Sequence, residues 1–222
     1  MKILAIDTST ASATAAISEN GILLGTTTVC LKKSHSQIIM ILIEELLNKL
    51  SLSPADIDLY AAAKGPGSFT GIRVGIAAIK GLADGSGKPC TGVSTLKAMA
   101  LPYTVTDNLI CTLIDARRDQ VYYGIYDNKV NEVEKEYILN IEELCVKLKQ
   151  YNKKIIFTGD CAEKHKERIT DILGDYAVFP DKIFHFNNAV NVAALAEREY
   201  SPEIKSGIFP EYILKSYVEK DD

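Results

Sequence analysis

The sequence predicts an α/β chain folded as two related lobes, each a mixed sheet flanked by helices. Three observations predict it. Short apolar runs of strand length alternate with longer stretches of helical length through the whole chain. A strand–turn–strand pattern with an aspartate at its bend occurs twice at an offset of 108 residues, so that Ile6 falls on Ile114, Asp7 on Asp115, Ile17 on Ile125 and Asn20 on Asn128. The 222 residues are 47% hydrophobic, ample for packed cores.

The first hairpin is KILAI, ending on Asp7, then small hydroxyl residues and a returning run, ATAAIS, that stops at Asn20-Gly21. A third strand (ILLGTTTVCL) leads to SHSQIIMILIEELLNKL, a helix whose start is marked by serine and histidine. A short strand ending in AAAK then meets the turn GPGSFTG, which opens a helix from about Phe69 to Asp84. The strand KPCTGVS closes the first lobe, and TLKAMA begins another helix. The second lobe repeats the hairpin as CTLI, Asp115, the turn ARRDQ and VYYGIYDNK. Helix IEELCVKLKQY, strand KKIIFTGD, helix AEKHKERITDIL, strand YAVFP and helix NVAALAEREY follow. Residues 1–104 are expected to form the first lobe and 105–222 a smaller second one, with the tail free to return to the first.

A net charge of −4 and the lack of any lysine or arginine run argue against a strong hold on nucleic acid. The five cysteines are scattered and odd in number, without the paired short spacings of a zinc or redox site, and read as reduced, mostly buried thiols. The N-terminal apolar run ends at Asp7, too early for a signal peptide, and no stretch is long enough to span a bilayer, so a cytoplasmic protein without membrane attachment is expected. No two of His35, His165 and His185 share a helical i, i+4 spacing. They read as surface or capping residues, His35 in the cap of the first helix beside Ser34 and Ser36.

Paired lobes that each open on an Asp-bearing hairpin resemble the actin, sugar kinase and Hsp70 superfamily (ASKHA), in which ATP lies between the lobes. That resemblance implies a phosphate turn at Asp7, Ser9 and Thr10 and a second at Asp115. The single Gly159 in FTGDCAEK, where an adenosine-binding glycine motif would lie, lets ATP and magnesium bind weakly at most, so no cofactor is expected to be required. Hydroxyls and turn N–H groups can solvate phosphate, and a carboxylate can hold magnesium. The more specific combination is LAIDTST, HSQ, GPGSFTGIRVGIAAIKGLA, GVSTL and DAR followed by VYYG. In this order it resembles the TsaB (YeaZ) family, noncatalytic relatives of the tRNA threonylcarbamoyltransferase TsaD. The motifs are strong to about residue 126. The tail FPEYILK approaches the family's Pro-x-Tyr-Leu-Arg ending without its arginine.

The catalytic relatives carry a His-x-x-x-His metal pair, and Thr95 and Met99 fall on those two positions. A hydroxyl and a thioether are poor ligands for such a site, so no metal centre is expected. Gly71, Gly75 and Ala78 make a line of small residues flanked by Ile72, Ile76 and Ile79, a groove against which another helix could lie. The run Ile38 to Ile43 is apolar through six residues, leaving a face that no single sheet would cover.

The resemblance implies a four-helix joint with a TsaD-like subunit, built from Ile38, Met40, Ile41, Ile43 and Leu47 together with the glycine helix. It also implies a TsaE-like ATPase partner, a homodimer when alone, contact with tRNA only through the complex, and no catalytic residues in this chain. The alternative is a small ATP-dependent kinase or hydrolase of the same superfamily, which ATP turnover by the isolated chain would reveal.

Overall fold

The computed structural model describes residues 1–30, 38–186, 188–203 and 208–213. Two compact units emerge, one from Met1–Ala98 and Asn187–Glu211, the other from Met99–Phe186 and Tyr212–Asp222.

The first unit is built on β1 (Lys2–Asp7), β2 (Ser12–Glu19), β3 (Ile22–Cys30), β4 (Leu59–Gly65) and β5 (Cys90–Ser94), in the spatial order β3-β2-β1-β4-β5. The hairpin strands β1, β2 and β3 pair antiparallel, while β4 and β5 add in parallel through helical crossovers. Ile3, Leu4, Ala5 and Ile6 are all fully buried, as central strands covered on both faces must be. Leu4 and Ile6 meet α1 (Ile39–Lys49) and α2 (Phe69–Ser86) in one apolar cluster with Tyr60, Ile43 and Ile76. The opposite face receives α6 (Ala189–Glu199), which packs on β1, β2 and β4 and buries Ala189, Val192 and Ala196.

The second unit repeats the plan with β6 (Leu109–Asp115), β7 (Gln120–Tyr126), β8 (Glu132–Asn140), β9 (Ile155–Thr158) and β10 (Ala177–Val178), in the order β10-β9-β6-β7-β8. Read from the other edge this is the same topology, and the duplication seen in the sequence is a duplication of structure. The two hairpins differ at their bends. Asp7 is opposite Thr14 but Asp115 is opposite Val121, so the second turn is one residue shorter. That tighter turn is closed by Arg117, Arg118 and Asp119, all left-handed. Helices α4 (Ile141–Leu148) and α5 (Lys166–Leu173) cover one sheet face through Leu144, Leu148 and Ile169 on Leu113 and Phe157. The segment YAVFP, expected as a strand, contributes only the two residues of β10. The chain passes from the first unit to the second within α3 (Thr95–Ala100).

Candidate functional site

The glycine turn between β4 and α2 lies against the first hairpin bend. Gly67 has φ 151°, and a Cβ there would stand 2.3 Å from the Ser9 carbonyl oxygen. The Ser68 N–H donates to that same oxygen at 2.7 Å. One turn into the helix, a Cβ on Gly71 would stand 2.0 Å from the Thr8 carbonyl oxygen, and the Thr8 hydroxyl donates to the Gly71 carbonyl at 2.7 Å. A Cβ on Gly75 would lie 2.5 Å from Thr8 Oγ1. Three glycines therefore let loop and helix close directly over the bend, so that GPGSFTG packs on this chain's own Thr8 and Ser9.

The consequence for a phosphate is direct. Asp7 is 1% exposed, and its Oδ1 accepts from the Ser9 N–H at 2.8 Å and the Ser9 hydroxyl at 2.6 Å. Thr8, Ser9 and Thr10 are buried as well. A phosphate turn needs donors aimed outward, whereas the Thr8 and Ser9 hydroxyls here donate inward. The first turn does not fit the magnesium nucleotide that the fold family implies.

The same geometry corrects the reading of Gly71 and Gly75 as a groove for an outside helix. Both are buried and turned toward Thr8, and Ile72, Ile76 and Ile79 beside them belong to the internal core, as do Ile43 and Leu47 of α1. Ile38 and Ala78 are half-buried. What faces outward on α1 is Met40, 44% exposed, and Ile41, 52% exposed. On α2 the outward small residues are Ala77, Gly81 and Gly85, spaced four apart, and a Cβ on either glycine would meet nothing within 4 Å.

Those glycines went unread in the sequence. The signal was present at Gly81, since a glycine inside a helix costs about 1 kcal/mol relative to alanine, whereas Gly85 falls just past the expected end at Asp84, where a glycine reads as a cap. Between the helices runs an open groove of about 390 Å³ lined by Met40, Glu44, Leu47, Asn48 and Leu82, with Ser53-Pro54 at one end.

The second bend has a different character. Asp115 is exposed, pairs with Lys164 at 3.1 Å, and accepts from the Arg117 N–H. Its own N–H donates to Asp160 Oδ1 at 3.1 Å. Asp160 follows Gly159, whose φ of 111° brings the end of β9 against the Leu113 backbone. Asp160 as a residue keeps contact with solvent, but the surrounding chain partly desolvates its carboxyl and the Asp115 carboxylate opposes its charge, which together raise its pKa to about 6. That solvent contact is why only a small stability effect follows.

A carboxyl whose folded pKa exceeds its unfolded one destabilises the fold when ionised, a cost absent at low pH and complete above the folded value. Asp160→Asn is therefore expected to raise the melting temperature by about 1–2 °C at pH 8, a gain that fades as pH falls from 6 toward 4. Thermal melts of both proteins across that range check it, and an equal or larger gain at pH 4 would remove the assignment.

His165, expected at the surface or in a cap, does occupy the N-cap position of α5, but it is 1% exposed there, its side chain makes no cap hydrogen bond and Nε2 is unpartnered. Burial, then the nearby charges of Lys164 and Arg168, holds its pKa below the ordinary value. His185 is half-buried, and His35 with Ser34 and Ser36 lies outside the described residues. Cys111, Cys145 and Cys161 are buried thiols, Cys90 is half-buried and Cys30 is exposed. Thr95 and Met99 sit one helical turn apart on α3, both buried, and the Thr95 hydroxyl has no hydrogen-bond partner. Among the described residues, no three His, Cys, Asp or Glu side chains gather as a metal site, and no helix is long and apolar enough to cross a membrane.

Residues 18–215 match the family model described as TsaD, tRNA N6-adenosine threonylcarbamoyltransferase. The tRNA threonylcarbamoyladenosine biosynthesis protein TsaB of Bacillus subtilis is 32% identical over 96% of this chain and 94% of its own length. The structure of YeaZ from Pseudomonas aeruginosa superimposes with a TM-score of 0.78 at 25% identity, covering 95% of this chain and 99% of the other. The ROK hexokinase of Thermus thermophilus, at TM-score 0.52 and 11% identity over 90% of this chain and 99% of its own, shares the fold alone.

Proposed function

This chain belongs to the TsaB (YeaZ) family, and from that premise we propose that it is the noncatalytic docking subunit of tRNA N6-threonylcarbamoyladenosine synthesis, binding and supporting a TsaD-like subunit. The observation that carries the proposal is the outward surface of α1 and α2. Met40 and Ile41 are exposed on one helix, and Ala77, Gly81 and Gly85 leave open space on the other. A helix from another chain can approach such a small-residue ridge closely while Met40 and Ile41 pack against its flank. The chemistry of threonylcarbamoyl transfer belongs to the partner. This chain contributes no catalytic residue to it, works in the cytoplasm, meets tRNA only in the complex, pairs with itself when alone, and also engages a TsaE-like ATPase.

Co-expression with the TsaD-like protein of the same source tests the central statement. A stoichiometric complex on size exclusion is expected, and its failure to form with both chains folded would overturn the proposal.

The kinase or hydrolase reading has less support, since Asp7, Thr8 and Ser9 are enclosed by the glycine turn. The isolated chain is expected to bind ATP with magnesium weakly or not at all, and to turn none over. Calorimetry and phosphate release check this together. A submicromolar dissociation constant, or steady turnover, would restore Asp7 and Asp115 as a working phosphate site.

A further inference from the structure

Beside α2, the segment Ile208–Glu211 crosses the ends of β4 and β5 as a strap. Ile208, 3% exposed, enters the first unit's core over Gly92. The Glu211 N–H donates to the Lys64 carbonyl at 2.8 Å, and its carboxylate pairs with Lys64 Nζ at 2.8 Å. Between these anchors Phe209 is 67% exposed, with Lys80 of α2 5.0 Å from its ring centre. An exposed phenylalanine on a loose tail is ordinary. One pinned on both sides, so that ordering the segment leaves its largest apolar side chain in water, is not explained by the fold of this chain.

The helical wheel of α2 gives this ring a place. At 100° per residue, Ala78 and Leu82 lie on the α1 side of the helix, where both pack with the shared core. Ala77 and Gly81 lie at the middle of the outer face, and Lys80, Arg73 and Phe69 on the side away from α1. The small-residue ridge is thus the floor of a trough. One wall is Met40 and Glu44 of α1. The other carries two aromatic–cation pairs, Phe69 with Arg73 at 3.7 Å and Phe209 with Lys80.

The walls differ in net charge, with the Glu44 carboxylate on one and, on the other, the two cations Arg73 and Lys80 against the single carboxylate of Asp84, which the same wheel places beside Arg73. In a two-fold joint between chains of this fold, each acidic wall meets the other's basic wall, which favours a partner built on the same plan.

We propose that the strap is a third element of the docking surface, with Phe209 as an aromatic anchor for a TsaD-like chain of the same fold. The inference rests on the docking role proposed above and adds to it a residue outside both helices. Aromatic side chains, phenylalanine among them, are enriched at protein–protein interfaces relative to the rest of the surface.

Binding of the full chain to the TsaD-like protein of the same source, measured by calorimetry for wild type, Phe209→Ala, Lys80→Glu and Gly81→Leu, tests it. Phe209→Ala is expected to weaken binding at least tenfold with an unchanged circular dichroism spectrum. Lys80→Glu, which leaves the strap itself intact, is expected to weaken it with a loss that is larger at low salt. If Gly81→Leu abolishes binding while Phe209→Ala and Lys80→Glu bind like wild type, the strap inference is overturned and the helix surface stands. If Gly81→Leu also binds like wild type, or wild type does not bind at all, the docking role fails and the strap inference fails with it.

Discussion

Gly71→Ala is expected to destabilise the first unit by on the order of 3 kcal/mol or more, whereas Gly81→Ala, on the same helix, is expected to stabilise it by about 0.5–1 kcal/mol. The two substitutions add the same methyl group to very different surroundings. At Gly71 the new carbon would lie 2.0 Å from a backbone oxygen of Thr8, and backbone cannot move aside as the end of a long side chain can. Either α2 withdraws from the hairpin bend, breaking the Thr8 to Gly71 hydrogen bond, or the bend is displaced from β1. At Gly81 the methyl meets nothing, and only the better helix propensity of alanine remains. Urea denaturation of the three proteins measures both effects. A Gly71→Ala protein as stable as wild type would show that the bend does not bear on the helix as described.

The second large effect concerns association. Ile41→Glu and Gly81→Leu are each expected to weaken binding to the TsaD-like partner by about a hundredfold, roughly 3 kcal/mol, and to leave the chain folded. Ile41 is more than half exposed and Gly81 faces open space, so neither change disturbs the core. In the complex the first would bury a carboxylate without a partner, and the second would hold the helices apart.

Gly75→Leu, an apparently equivalent probe from the small-residue line, is not equivalent. Its site is closed by Thr8, and that protein should unfold. Size exclusion with circular dichroism separates the cases, and folded Ile41→Glu and Gly81→Leu proteins that still form the complex would place the partner elsewhere.

Much of this was legible in the chain itself. The alternation of strand and helix and the duplicated Asp-bearing hairpin are local patterns, and both survive as two sheets of one topology. The excess apolarity of Ile38 to Ile43 was likewise visible, because a helix on a sheet can hide only one face. The direction in which each glycine of α2 points was not legible, since Gly71, Gly75, Gly81 and Gly85 look alike as residues. The burial of His165 was not legible either: spacing along the chain allowed a surface or a cap position, and it holds the N-cap position of α5 with its ring buried.

The sequence by itself determined the fold class, the repeat and the family, because each depends on residue type and spacing along the chain. Tertiary structure decided the rest through contacts between residues far apart in the chain. It brought Thr8 under Gly71 across 63 positions, returned α6 and the strap to the first sheet, and set Asp160 beside Asp115. The physical reason is that a glycine, a hydroxyl or a carboxylate has no fixed role until a neighbour arrives. The same glycine is a space for another helix or a space already filled, and which it is depends on a distance that no local pattern encodes.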